Sequence, residues 1–243
     1  MKSLRFRFLS GHDYLDINAW SGTIYYMYKA TERNLQVVGL GKPPKKYSLG
    51  QKILNKLCQK KESVKIGYPR YIAECKELAS ILQKQLLETR CDVIFAPVAK
   101  REVALVKTNI PIVYCSDVTC SLYLKDYKIE LEPEQIEWEE REEALAISKA
   151  SKLVYLSRWA ANSATSDYQA ELDKIKIIPF GANIDECQLA NEVLSKKQNQ
   201  VCRLLFVGKD WERKGGNLAV ETLITQVASY KIGRCKLASL PAC

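Results

Sequence analysis

Short apolar runs of strand length alternate with helix-length amphipathic segments along most of this chain. Residues 4–9 (LRFRFL) read as a first strand, closed by the polar turn Ser10-Gly11-His12-Asp13. Ser21-Gly22-Thr23 precedes residues 24–30, which read as the first turns of a helix entered through small side chains. Residues 35–40 (LQVVGL) predict a second strand, followed by the loop Gly41-Lys42-Pro43-Pro44. Between 71 and 90 apolar positions fall at 72, 75, 78, 79, 82, 86 and 87, the spacing of one helix face. Residues 92–97 (DVIFAP) and 112–114, after Pro111, read as short buried strands. Then follow an acidic helix over 133–150, a strand over 152–156, a helix over 158–168 and a strand over 175–178 that stops at Pro179.

Strands apolar on both faces, alternating with helices, predict a parallel sheet covered by helices. Residues 1–183 are therefore expected to form one Rossmann-like α/β domain. Ligands in such folds bind beyond the carboxyl ends of the strands. Those ends carry His12-Asp13, Ser21-Gly22-Thr23, residues 99–101 and Ser116-Asp117-Val118-Thr119.

Residues 184–200 include the polar stretch NEVLSKKQNQ and read as a linker. A new unit begins with a strand over 201–207, a glycine- and cation-rich loop, and a helix over 217–225. A βαβ unit alone takes about 30 residues or more, so a second Rossmann-like domain is expected to be incomplete. Residues 226–243 (QVASYKIGRCKLASLPAC) carry no acidic residue and no sustained period. They read as an atypical tail, and a truncated or frameshifted coding sequence is the expectation.

Composition narrows the classes. Apolar residues make up 47% and charged residues 27% of 243 residues, which is globular usage and excludes general disorder. No apolar run approaches the length of a membrane span, and Arg5, Arg7 and His12 interrupt the N-terminal apolar pieces, so a cytoplasmic protein is expected. Nine cysteines without any Cys-x-x-Cys pair, and His12 as the single histidine, offer no zinc framework; no metal is expected. Cys91, Cys115 and Cys202 lie in apolar runs, where the thiol packs as a small hydrophobe.

The formal charge is +9, although eight glutamates fall between Glu130 and Glu143. The cations cluster only in pairs (Lys45-Lys46, Lys60-Lys61, Lys196-Lys197, Arg213-Lys214), without the stripe and module of a nucleic-acid binder. A solvated surface, peripheral contact with an anionic membrane and a phosphorylated substrate each fit that distribution.

The loop FVGKDWERKGG (206–216) supplies a strand, a glycine turn, cations and a double glycine opening a helix. Amides at a helix N-terminus, glycines permitting close approach and nearby Lys/Arg together make an anion site. A basic surface turn is the simpler alternative. The loop is neither a Walker A sequence nor a G-x-G-x-x-G fingerprint.

This loop resembles the start of the C-terminal domain of group-1 (family four) GT-B glycosyltransferases. IIPFGANID (177–185), SKASKLVYLSRWAANS (148–163), AWSGTIYYM (19–27) and IPIVYCSDVT (110–119) are similar, in order, to other segments of that family. The resemblance implies a GT-B type fold and sugar transfer from a nucleotide-diphosphate donor, with retention and without metal or other cofactor. The acceptor, a glycan, lipid or small molecule, is left open. By position, Lys209, Arg213 and Lys214 would hold the donor diphosphate, with Ser21, Gly22 and Thr23 approaching it from the N-terminal domain. Asp117 would stand on the acceptor and sugar side, where many members have His-Asp and this chain has Ser116-Asp117. His12 is a second acceptor-side candidate. The family's E-x7-E segment has no match in 226–243, so an inactive remnant serving as a binding module is the alternative expectation.

Overall fold

A computed structural model of the chain describes residues 4–40, 68–127, 129–185, 202–207, 211–212, 214–230 and 235–240. It divides into two compact units, Met1–Asn183 and Ile184–Cys243.

The first unit is built on six parallel strands: β1 (Arg5–Leu9), β2 (Gln36–Leu40), β3 (Val93–Pro97), β4 (Ile112–Ser116), β5 (Lys152–Tyr155) and β6 (Ile175–Ile177). Their order across the sheet is β2-β1-β3-β4-β5-β6. Between them lie α1 (Thr23–Asn34), α2 (Tyr68–Glu88), α3 (Lys100–Leu105), α4 (Cys120–Asp126), α5 (Pro133–Lys149) and α6 (Arg158–Tyr168). The predicted strands and the four longer helices appear within a few residues of their expected bounds. The short helices α3 and α4 were not anticipated, because six or seven residues give too little periodicity to read.

Alternation along the strands splits the core between the two faces of the sheet. Phe8 points to one face and packs with Ile24 and Tyr28 of α1, its ring edge-on to Tyr28 at 5.4 Å and to Phe95 at 5.6 Å. Leu9, Ile94, Ile112, Tyr114 and Leu153 pack in a second cluster with Leu82, Val103, Ala146, Ala160 and Ala164. The small alanines let α5 and α6 approach the sheet closely. Cys91 and Cys115 are buried free thiols.

Buried polar groups fasten the sheet to its helices. Arg7, only 1% exposed, donates to the main-chain carbonyls of Gln85 at 2.6 Å and Thr89 at 2.7 Å, closing the carboxyl end of α2. Lys149 donates from Nζ to the carbonyls of Val103, Ala104 and Val106, doing the same for α3. Gln135 Oε1 accepts the Glu132 amide at 3.2 Å, and Pro133 opens α5. Ser157 caps α6 by accepting the Ala160 amide at 3.2 Å.

The second unit contains β7 (Cys202–Val207), α7 (Gly216–Tyr230) and β8 (Cys235–Leu240), with β7 and β8 parallel from Cys202↔Cys235 to Val207↔Leu240. Two sequence expectations change here. The helix runs on to Tyr230 instead of stopping at 225, and part of the supposedly patternless tail is a strand. CKLASL has weak intrinsic strand preference, and pairing with CRLLFV, a non-local event, decides its state. Leu205, Val207, Leu218 and Ile224 stand more than 60% exposed. The predicted linker lies almost wholly outside the described residues, as do Gly41–Pro44 and the paired lysines at 45–46, 60–61 and 196–197. Among the described residues no helix is long and apolar enough to cross a membrane.

Candidate functional site

Because the six strands are parallel, their carboxyl ends lie along one edge, and the loops leaving them share it. The loop after β1 carries His12 and the Ser21–Thr23 turn; the loop after β4 carries Asp117. Winding reverses between β1 and β3, since β2 lies on one side of β1 and all later strands on the other. A crevice opens at such a switch point.

The chain from β1 to α1 is shaped by its own side chains. Asp13 Oδ1 accepts the Leu15 amide and Asp16 Oδ1 accepts the Asn18 amide, both at 2.9 Å, folding successive turns. A short 3-10 turn, Ala19–Gly22, then enters α1. Trp20, Ser21 and Gly22 all have positive φ, at 49°, 56° and 81°. The left-handed region costs a non-glycine residue about 1–2 kcal/mol, so the surrounding structure must hold Trp20 and Ser21 there. Gly22 has the additional constraint of space: a Cβ would stand 3.2 Å from the Ile17 carbonyl oxygen. Gly22 is also the N-cap residue of α1, and no side chain caps that end. The Thr23 amide donates to the Trp20 carbonyl, and a helix N-terminus of this kind attracts anions through its remaining amides and its dipole.

His12 is half-buried, its amide donating to Ser10 Oγ at 3.1 Å. Beside it lies a group the sequence reading missed. Glu102 of α3 is buried, and its carboxylate packs on Gly11 so closely that a Cβ there would meet Oε1 at 3.2 Å. Its only sequence signal is an acid a few residues past a strand end.

Asp117 is half-buried where β4 ends, and burial pushes its carboxyl pKa up against the opposing pull of the Asp117 and Val118 amides. The turn around it is rigid. Ser116 Oγ donates to the Val118 carbonyl at 2.7 Å, and fully buried Thr119 caps α4. Thr119 Oγ1 also lies 2.6 Å from Ser163 Oγ, which donates to Asp167 at 2.5 Å.

Below this turn is a buried carboxyl. Tyr114 Oη donates to Glu143 Oε1 at 3.2 Å, and burial raises the Glu143 pKa to about 7 despite Lys100 and the Tyr114 hydrogen bond. The cations at 99–101 turn away from ligand chemistry. Lys100 pairs with Glu139 at 2.5 Å, and Arg101 with Glu142 at 2.9 Å and Glu139 at 3.6 Å. The acidic run in α5 is thereby partly neutralised from α3.

In the second unit, Phe206 and Trp211 meet edge-on at 4.9 Å, and Trp211 Nε1 donates to Asn217 Oδ1 at 2.8 Å. Gly216 lies under that indole: a Cβ would fall 2.2 Å from the ring. Gly215 turns the chain with φ 75°, and Lys214 is exposed just before it. Lys209 and Arg213 lie outside the described residues. Ser21, Gly22, Thr23, His12 and Asp117 thus share one edge of the first unit, while Lys214 belongs to the second.

No protein-family model matches this chain, and no curated protein matches it. Among solved structures, one that is similar is UGT2 of Phytolacca americana, complexed with UDP-2fluoro-glucose and pterostilbene. The identity is 10% and the TM-score 0.49, over 100% of this chain and 72% of the other. A likeness at that level assigns no function, and the α/β class rests on the parallel sheet itself.

Proposed function

We propose that this chain is a glycosyltransferase of GT-B type that takes a nucleotide-diphosphate sugar as donor. The observation that carries the reading is the gathering at one sheet edge of an uncapped, left-handed turn at a helix start and a rigidly mounted carboxylate. In this reading Lys214, with Lys209 and Arg213, meets the donor diphosphate, and the Ser21–Thr23 turn is the first unit's candidate for the same role. Transfer breaks the bond between the sugar's anomeric carbon and the diphosphate oxygen and forms one to the acceptor's hydroxyl oxygen, with retention, the hydroxyl proton passing to the departing diphosphate. Negative charge grows on the departing diphosphate, and fixed amides and cations aimed at it lower the barrier. Asp117, made more basic by its burial, accepts a hydrogen bond from a sugar or acceptor hydroxyl, and His12 lines the acceptor side. The protein works in the cytoplasm, with or without peripheral contact with a membrane; its acceptor is a glycan, lipid or small molecule.

The test is release of UDP or GDP from a panel of nucleotide sugars, with and without candidate acceptors. Turnover by the wild type and a loss of tenfold or more in Asp117→Asn is the expected result, on the scale of a lost hydrogen bond to a charged group, about 1.5 kcal/mol or more. Turnover that is indifferent to Asp117→Asn removes its assigned role, and absence of turnover with every donor removes the enzymatic reading.

A further inference from the structure

We infer that Asn183 is a positioning residue for the Ser21–Thr23 turn, acting through a strap that crosses the carboxyl edge of the sheet. The inference rests on the reading that this turn faces the donor diphosphate.

Pairing of β6 with β5 extends one residue beyond the strand, where the Ile178 amide donates to the Tyr155 carbonyl at 2.9 Å. The chain then leaves the sheet and returns to the opposite side of the unit. Asn183 Nδ2 donates to the Ser21 carbonyl at 3.0 Å and to Thr23 Oγ1 at 2.9 Å. Phe180 meets the Trp20 ring edge-on at 5.3 Å. These partners are the three residues around Gly22, two of them the non-glycine residues with positive φ.

The strap meets the turn at two points: Phe180 against the Trp20 ring, and the Asn183 amide, which bonds both a carbonyl and a hydroxyl of the turn. Nothing in the turn's own sequence favours Trp20 and Ser21 in the left-handed region, and the Asn183 amide and Phe180 ring hold them from outside. Asn is suited to this because one NH2 group can donate to two acceptors. Aspartate would present only acceptors to the Ser21 carbonyl.

Hydrogen exchange in the intact chain tests the strap directly. In Asn183→Ala, peptides covering residues 17–28 should exchange about tenfold faster, while peptides from β3 and β4 stay unchanged. Thr23→Val should loosen the same peptides less, and adding it to Asn183→Ala should loosen them no further, since the alanine has already removed both bonds. UDP titration then asks whether the positioning serves the ligand, with an affinity loss of about tenfold expected in Asn183→Ala. Unchanged exchange over 17–28, or additive effects of the two substitutions, would overturn the inference. So would loosened exchange with undiminished UDP affinity. A wild type that binds no nucleoside diphosphate defeats the functional reading instead, while exchange still decides whether Asn183 holds the turn.

Discussion

Glu143 is 2% exposed beneath β4, and replacing it by glutamine keeps its shape and an acceptor for Tyr114 Oη while removing its ionisation. The carboxyl pKa rises from 4.5 to about 7 because burial penalises the charge; Glu139 and Glu140 add to the rise, and Lys100 and Tyr114 oppose it. The folded state therefore binds more protons than the unfolded state between those values, and stability falls as pH rises through that window. At about 1.4 kcal/mol per pKa unit, the loss approaches about 3 kcal/mol once pH exceeds 7. Glu143→Gln escapes that loss. Urea unfolding at pH 5, 6, 7 and 8.5 should show wild type and variant nearly equal at pH 5, with the variant gaining by up to about 3 kcal/mol at pH 8.5. The difference between the two proteins isolates this group from every other that titrates. A variant equally destabilised at all four pH values would refute the reasoning, since it would mean that the carboxylate is needed as an ion partner.

Two further outcomes follow from the packing. Arg7→Met leaves two helix-end carbonyls without their donors, so it should cost about 3 kcal/mol in urea unfolding; a change under about 1 kcal/mol contradicts the account of β1 and α2. Gly216→Ala puts a carbon 2.2 Å from the Trp211 ring, so the Trp211 indole N–H resonance should shift as it leaves Asn217. An unchanged resonance would show that the glycine is not required by that close approach.

The first unit was legible because its strands are buried on both faces and leave continuous apolar runs such as DVIFAP, while α2 shows a clean 3.6-residue period. Short segments were not. α3 is six residues long and starts with Lys-Arg-Glu, so it reads as a charged loop until Lys100 and Arg101 find Glu139 and Glu142. β8 is legible only through its partner, since Lys236, Ala238 and Ser239 favour no strand by themselves. For the site, glycine and polar residues at strand ends pointed to Ser21–Thr23 and Asp117. The sequence could not reveal the left-handed backbone at Trp20, the long-range strap from Asn183, or Glu102 against Gly11. Each depends on residues far apart in the chain, and no local pattern encodes them.

The proposed function requires that this chain bind a nucleoside diphosphate. Calorimetric titration of the whole protein with UDP, GDP and UDP-glucose, beside Lys214→Ala, tests it most directly. Saturable binding to at least one of them is expected, weakened tenfold or more in the variant, in keeping with the loss of a charge-assisted phosphate contact. Binding that does not saturate, or that is equal in Lys214→Ala, would contradict it.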